Sequence, residues 1–174
     1  MEKHQSGLTV IELIFVLAIV AILATIGLPA MASFVSESRL TAKTNLTMAH
    51  LQFARQAAVT HRANVVACPS DDHTTCSGGN RWDQGWVIFI DRDNNRQADS
   101  PSDVLRVVAP EQDLLLHSAG RHRVRFQPSG AAYGTNLTIR VCDARSQAEA
   151  RAIVVSNPGR VRVRRGLNAQ ECVV

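Results

Sequence analysis

"LTVIELIFVLAIVAILATIGL", residues 8–28, is an apolar run of 21 residues with a single charged side chain, Glu12. As a helix it spans roughly 31 Å, at about 1.5 Å per residue, which is enough to cross the hydrocarbon core of a bilayer. A secretory signal has a shorter apolar core followed by a small-residue cleavage site, and this run fits neither feature. The run therefore predicts a transmembrane helix over 8–28.

Glu12 is out of place in this segment. A charge at the centre of a membrane helix costs about 2.5–3.5 kcal/mol on insertion scales, and less near the interface. Because an unexplained acid in a membrane helix usually has a function, Glu12 indicates more than a plain anchor.

The segment "SGLTVIELIFVLAIVAILATIGLP", residues 6–29, resembles the class III signal of type IV pilins and type II secretion pseudopilins. The resemblance implies that a prepilin peptidase removes residues 1–7 by cutting after Gly7. Leu8 becomes the N-methylated first residue, where phenylalanine is more usual. Glu12 is then an assembly residue that pairs with the N-terminal amine of a neighbouring subunit. The implied protein passes once through the inner membrane, has its globular domain in the periplasm, contacts major and minor pilins through its helix and enters an extracellular pilus.

Beyond Pro29 the helical pattern continues to about residue 62. Pro29 is expected to kink the helix rather than end it, because neighbouring groups can satisfy the freed carbonyl. Apolar residues recur there at spacings of three and four, which predicts an amphipathic helix over 29–62 with one buried stripe. The predicted stripe consists of Ala42, Leu46, Ala49, Phe53 and Ala57.

From residue 63 onward the period of the apolar pattern changes to two, which indicates strands. Turn sequences rich in Gly, Pro, Asn and Asp separate the candidate strands. The candidates are 63–68, 85–90, 103–108, 113–117, 121–127, 136–142, 151–155 and 159–165. We therefore predict an α+β fold, in which a β-rich globular domain over 63–174 packs antiparallel sheets on the long helix. The lollipop shape of the pilin family has this layout.

Four cysteines lie in the predicted globular domain: Cys68, Cys76, Cys142 and Cys172. An even number in a domain outside the cytoplasm favours disulfides, and three pairings are possible. We favour Cys68 with Cys76 and Cys142 with Cys172. A zinc site from Cys68, His73 and Cys76 is the weaker alternative, since no second pair of ligands accompanies it.

The segment "DRDNNRQAD", residues 91–99, suggests a calcium loop because acidic and amide side chains alternate along it. An EF-hand loop needs glycine at its sixth place and glutamate at its twelfth, where this chain has Arg96 and Ser102. The sequence therefore favours a polar hairpin loop and predicts no metal site and no cofactor. It contains no recognisable catalytic motif either, and we do not expect an enzyme.

Positive charge is concentrated toward the C-terminus. From Ser118 onward ten arginines face three acidic residues, a net charge of +7, whereas the preceding part carries −3. In "NPGRVRVRRG", residues 157–166, alternation puts Arg160, Arg162 and Arg164 on one face of a strand, with Arg165 beside them. In "RHRVRF", residues 121–126, the same alternation puts Arg121, Arg123 and Arg125 on one face. Such rows favour binding to a polyanion through phosphate groups.

Three segments resemble the globular domain of the GspH/FimT family: "WVIFIDRDNNRQADSPSDVLRV", "VRFQPSGAAYGTNLTIRVC" and "ARAIVVSNPGRVRV". The DNA-binding, FimT-type minor pilins of that family carry a C-terminal Gly-Arg-x-Arg motif, which Gly159-Arg160-Val161-Arg162 matches. The resemblance implies a minor type IV pilin that binds DNA, without regard to base order, for uptake in natural transformation. The alternative is a minor pilin or type II secretion pseudopilin that primes fibre assembly without binding DNA.

Overall fold

The fold is described from a computed structural model, in which residues 9–144, 148–167 and 169–172 are described. One helix, α1 (Val10–His61), runs through Pro29 and ends at Arg62, whose φ of 50° is left-handed. The Thr9 hydroxyl caps its first turn by accepting from the backbone N–H of Glu12. The first half of α1 is exposed and apolar, and it is long and apolar enough to cross a membrane.

The second half of α1 enters the globular domain, but on a different stripe from the one predicted. Its buried residues are Leu40, Thr44, Thr47, His50, Leu51, Ala54, Ala57 and Ala58. Of the predicted stripe, Ala57 is buried and Phe53 half-buried, whereas Ala42, Leu46 and Ala49 are exposed. The prediction counted only apolar residues, and threonine can be buried in a helix when its hydroxyl bonds to the preceding turn. Thr44 does so, donating to the Leu40 carbonyl at 2.7 Å.

Eight strands follow in the described residues, close to the predicted positions. They are β1 (Val65–Pro69), β2 (Trp86–Ile90), β3 (Val104–Val108), β4 (Leu114–Ser118), β5 (Val124–Phe126), β6 (Leu137–Asp143), β7 (Arg151–Val155) and β8 (Val161–Arg164). Short 3-10 turns lie at Pro101–Asp103 and Ala169–Cys172. The α+β prediction is confirmed: the long helix packs on β-sheets.

The strands form two antiparallel four-stranded sheets, with the orders β3-β2-β1-β5 and β4-β6-β7-β8. The main core lies where both sheets meet α1, and it includes Leu51, Trp86, Phe126, Ile139 and Ile153. Each of the two arginine-rich segments belongs to the edge of a different sheet, β5 in the first and β8 in the second. This topology decides where their side chains can meet.

Two disulfides hold the loops and the C-terminal segment. Cys68 is bonded to Cys76, and Cys142 is bonded to Cys172, which is the pairing that the sequence favoured. Because the thiols of Cys68 and Cys76 are used in this bond, they do not serve as zinc ligands. The second disulfide attaches the turn at Ala169–Cys172 to β6.

Candidate nucleic-acid interface

The C-terminal strand β8 presents arginines on its exposed face. Among the described strands it pairs only with β7, and the register sets Arg162 opposite Val154 and Arg164 opposite Ala152. Arg162 and Arg164 are exposed, whereas Val161 and Val163 are half-buried and Val161 packs against the core. The alternation expected within this strand is therefore present.

The turn into β8 can be made only by glycine. Gly159 has a φ of 77°, and its N–H bonds to the Ser156 carbonyl at 2.8 Å. A β-carbon on Gly159 would lie 1.8 Å from the carbonyl oxygen of Gly130. The same carbonyl accepts a hydrogen bond from Arg55 Nε on α1 at 3.0 Å. The glycine of the Gly-Arg-x-Arg sequence thus lets three segments meet at one point.

Arg160 lies apart from Arg162. It precedes the first residue of β8 and lines a pocket of about 420 Å³ with Gly159 and with α1 residues that include Arg55 and Val59. Arg162 lines a different pocket. The predicted row of three arginines is therefore divided, with Arg160 toward the helix and the other two on the face of the sheet.

Arg162 shares its pocket with an arginine from outside its own sheet. A groove of about 550 Å³ is lined by Arg162 of β8 and by Arg121, which comes before β5. We call it the Arg121–Arg162 groove. Asn136, Thr138 and Asn157 also line it. Among its described lining residues none is acidic and none is aromatic. The groove offers arginine and neutral polar groups, which suits an anionic chain.

Arg121 also borders a second, smaller pocket. Arg121, His122 and Arg123 line a pocket of about 160 Å³ together with Gly134. Arg121 Nη1 donates to the Gly134 carbonyl at 2.7 Å, which fixes one end of the guanidinium and leaves other N–H groups to bind a ligand. A basic surface therefore continues from Arg162 through Arg121 to Arg123.

Arg125 does not extend this surface in the way the sequence predicted. The strand β5 has only three residues, so Arg121 and Arg123 lie in the segment before it rather than in a regular strand. Arg125 Nη1 donates to Asn94 Oδ1 at 3.0 Å, and its Nε is buried. Burial lowers the pKa of Arg123, and the charges of Arg96 and Arg125 lower it further. Arg123 and Arg125 therefore lie near the 91–99 loop.

The charge of Arg164 is compensated within the chain. Arg164 Nη2 lies 3.0 Å from Glu171 Oε1, in the turn that the Cys142–Cys172 disulfide attaches to β6. Arg165, next to it, is exposed. An ion pair this exposed contributes about 0–1 kcal/mol, so a ligand can compete for Arg164.

Two arginines near the interface, Arg140 and Arg55, were not predicted from the sequence. Arg140 of β6 shares a cross-strand row with Ala152 and Arg164, because β6 and β8 both pair with β7. The alternation in "LTIRVCD" carried a signal for Arg140. Arg55 joins Arg160 only through the packing of α1 on β8, and nothing in the sequence indicates that contact.

The N-terminal residues add one local observation. Glu12 lies in the first turn of α1, where its backbone N–H is capped by Thr9. The predicted processing residues Gly7 and Leu8 lie outside the described residues. Their cleavage and methylation, and the pairing of Glu12 with a neighbouring subunit, stay predictions.

Family models match two separate parts of this chain. Residues 43–159 match the family described as Type II transport protein GspH. Residues 3–28 match the prokaryotic N-terminal methylation motif. No curated protein sequence gives a significant match.

Solved structures of similar fold come from two fibre systems. The type IV minor pilin FimU of Pseudomonas aeruginosa in space group P21 is 20% identical, with a TM-score of 0.58, over 75% of this chain and 92% of FimU. A second crystal form of FimU gives a TM-score of 0.56. The minor pseudopilin EpsH from the type 2 secretion system of Vibrio cholerae is 11% identical, with a TM-score of 0.52, over 72% of this chain and 95% of EpsH.

The family match and the N-terminal methylation motif define a pilin-like protein, and its fold is the one found in a minor type IV pilin and in a minor pseudopilin. Since the family match covers more than half of the chain, this protein belongs to the GspH family. The methylation motif and the apolar helix indicate a membrane-anchored pilin. The similar structures include a pilus protein and a secretion protein, so they define the class without choosing between the two.

Proposed function

We propose that this protein is a FimT-type minor pilin that binds DNA through the Arg121–Arg162 groove and takes part in DNA uptake for natural transformation. The observation that carries the proposal is the meeting of Arg162 of β8 and Arg121 of the segment before β5 in one groove, without an acidic lining residue among those described. The match of Gly159-Arg160-Val161-Arg162 to the Gly-Arg-x-Arg motif supports it.

The chemistry of the groove suits the phosphate backbone. Arginine presents a planar fork of N–H donors that matches phosphate oxygens. Phosphate contacts carry no base information, so binding should be indifferent to sequence and strongly dependent on salt. The neutral amides of Asn136 and Asn157 can bond to phosphate or sugar oxygens beside the arginines. Arg123 continues the surface on one side, and Arg164 and Arg165 continue it along β8.

The anchor gives this surface its proposed cellular setting. Prepilin peptidase cuts after Gly7, and the helix holds the protein in the inner membrane with its domain in the periplasm. Glu12 then pairs with the amine of a neighbouring pilin as the subunit enters the fibre. Several copies in one fibre would raise a weak affinity for a long DNA chain.

One alternative rests on a specific observation. Arg164 is paired with Glu171 inside the chain, so arginines on this face can be neutralised by protein carboxylates. A pseudopilin or minor pilin that uses these arginines to bind acidic neighbours would prime fibre assembly without DNA.

The experiment uses the full chain in detergent micelles and fluorescence anisotropy with a labelled DNA duplex of arbitrary sequence. Replacing Arg121 and Arg162 by glutamine should weaken binding by about tenfold or more and lower the slope of log K against log salt by about 0.9 for each lost phosphate contact. The double variant Arg39→Gln, Arg92→Gln removes the same charge from two exposed arginines, which pair with Asp113 and Asp103, and it is the matched control. Absence of binding at low salt, or equal binding by the double variant and the control, would overturn the proposal.

A further inference from the structure

The turn between β5 and β6 carries an exposed aromatic side chain. Tyr133 is 57% exposed. Among the described residues beyond α1, the other Trp and Phe side chains are all buried, namely Trp82, Trp86, Phe89 and Phe126. The ring of Tyr133 takes no part in the core, so its faces are open to a ligand.

Backbone hydrogen bonds hold Tyr133 in a fixed place. Thr135 N–H donates to the Ala132 carbonyl at 3.1 Å, which closes a tight turn around Tyr133. Gly134 has a φ of 72°, as the third position of a type II turn requires. The Thr135 hydroxyl accepts from the Arg125 N–H at 3.0 Å, which ties the turn to β5. Because its support is already ordered, Tyr133 loses little conformational entropy when it binds a ligand.

Both residues next to Tyr133 contact the basic surface of the candidate interface. On one side, Ala132 N–H donates at 2.8 Å to the carbonyl of Asn157, which lines the Arg121–Arg162 groove. On the other side, the Gly134 carbonyl accepts from Arg121 Nη1 at 2.7 Å. Consecutive Cα atoms are about 3.8 Å apart, so the backbone of Tyr133 lies at the rim of the groove, one residue from each contact.

The surface near Tyr133 suits a nucleotide better than an apolar protein partner. Among the described residues beyond α1, the only other exposed large apolar side chain is Val107. Val107 belongs to β3, which is the edge of its sheet opposite to β5, so the sheets form no wider apolar patch with Tyr133. The neighbouring pockets are lined by cationic side chains and by no acidic residue among those described. An aromatic ring beside cations matches a base linked to phosphate.

We propose that Tyr133 stacks on an unpaired base of DNA held in the groove, so that a single strand gains a contact that a duplex does not. The inference rests on the proposed function, because Arg121 and Arg162 have to hold the phosphates of the same strand. Bases in a duplex are stacked on one another, whereas an unpaired base can offer its face to an aromatic side chain. Every base has such a face, so this contact keeps binding independent of sequence.

The test compares two labelled probes by fluorescence anisotropy on the full chain in detergent micelles. One is oligothymidylate, which does not pair with itself, and the other is a duplex of the same length. Tyr133→Ala should weaken binding to oligothymidylate by about tenfold, the loss of one stacked base, and binding to the duplex by less than about twofold. Tyr133→Phe keeps the ring and should bind both probes within about twofold of the wild type. Val107→Ala removes an exposed apolar side chain from β3, and it is the matched control.

Photo-crosslinking gives a second readout on the wild type. Oligothymidylate in which iododeoxyuridine replaces some thymidines should crosslink to Tyr133 on irradiation, because a halogenated uracil reacts with an aromatic ring that is stacked on it. Mass spectrometry identifies the residue that carries the adduct. A missing Tyr133 adduct would overturn the inference even if a variant did not fold.

The outcomes separate this inference from the proposed function. If the wild type binds the duplex but Tyr133→Ala binds oligothymidylate as well as the control does, only the stacking role of Tyr133 is refuted. Equal losses on both probes, or a Tyr133→Phe variant as weak as Tyr133→Ala, would refute it as well. A wild type that binds neither probe at low salt would refute the proposed function, and the inference with it.

Discussion

Gly159 rests directly on the backbone of Gly130: a β-carbon on Gly159 would lie 1.8 Å from the Gly130 carbonyl oxygen. This contact joins the turn before β8 to the loop after β5. The strands β5 and β8 belong to different sheets. Because no side chain fits there, the glycine of the Gly-Arg-x-Arg sequence is required for the fold, and through the fold it brings Arg162 near Arg121.

Gly159→Ala should therefore destabilise the domain by more than the cost of its backbone conformation. A left-handed φ costs a non-glycine residue about 1–2 kcal/mol, and the clash with Gly130 adds to it. Gly120→Ala is the matched control, since Gly120 has the same φ of 77° and a β-carbon there would have no other atom within 4 Å. Thermal unfolding followed by circular dichroism compares the two, and equal losses would contradict the role of the Gly130 contact.

Glu171→Gln should strengthen DNA binding. The substitution frees Arg164 from its ion pair with Glu171 at 3.0 Å and removes a negative charge beside the proposed interface. We expect about a twofold to threefold gain in affinity at low salt, which shrinks as salt is raised. Anisotropy titrations at several salt concentrations measure it. Unchanged or weaker binding would show that Arg164 lies outside the DNA contact.

Glu37→Ala should loosen the attachment of α1 to the second sheet. Arg151 of β7 is buried, with its side chain 8% exposed, and pairs with Glu37 of the helix. Removing the carboxylate leaves a buried guanidinium without its partner, which costs about 3 kcal/mol. Because Glu37 is half-exposed, water can reach the guanidinium in the variant and reduce this cost. Arg39→Ala breaks the exposed pair with Asp113 and should cost less than about 1 kcal/mol. Chemical denaturation of both variants gives the comparison, and similar losses would refute the ranking.

Stability should fall as the pH is lowered from 7 to 5. Burial, followed by the charge of a nearby arginine, lowers the pKa of His50 and of His117 below the ordinary value of 6.5. An imidazole with a lowered folded pKa binds protons more readily when unfolded, so its contribution is complete above about 6.5 and is lost below it. Each histidine can contribute at most about 1.4 kcal/mol per pH unit.

Denaturation at pH 5, 6 and 7 measures this change in the free energy of unfolding. Burial raises the pKa of Asp91, which acts in the opposite direction as the pH falls. The informative quantity is therefore the difference in slope between the wild type and His50→Gln. His50 packs edge-on against Trp86 with ring centroids 5.6 Å apart, so glutamine lowers the stability at every pH while flattening the slope. An equally steep profile would exclude His50 as the source.

The sequence was sufficient for the secondary structure and the class of fold. A long apolar run followed by a 3.6-residue period defines α1, and a period of two defines eight strands within a few residues of their observed ends. The buried stripe of α1 was predicted wrongly because Thr44 and Thr47 take core positions. Hydroxyl groups that bond within the helix are no longer polar groups to be solvated, and a count of apolar residues overlooks them.

Sequence patterns predicted only part of the candidate site correctly. Local alternation correctly placed Arg162 and Arg164 on the exposed face of β8, because that depends on successive residues of one strand. It failed for Arg121, Arg123 and Arg125, because β5 is shorter than the alternating pattern and Asn94, from a distant loop, holds Arg125.

What the sequence by itself determined is local: the long apolar N-terminal helix, the alternation of the strands and the charge of the C-terminal segment. Tertiary structure alone decided which arginines act together. Arg121 and Arg162 are 41 positions apart: Arg162 lies on the edge strand β8 of one sheet, and Arg121 lies in the segment that leads into β5, an edge strand of the other. Their meeting depends on the packing of both sheets against α1 and on the contact between Gly130 and Gly159. Contacts between residues so far apart in the chain produce no periodic pattern in the sequence.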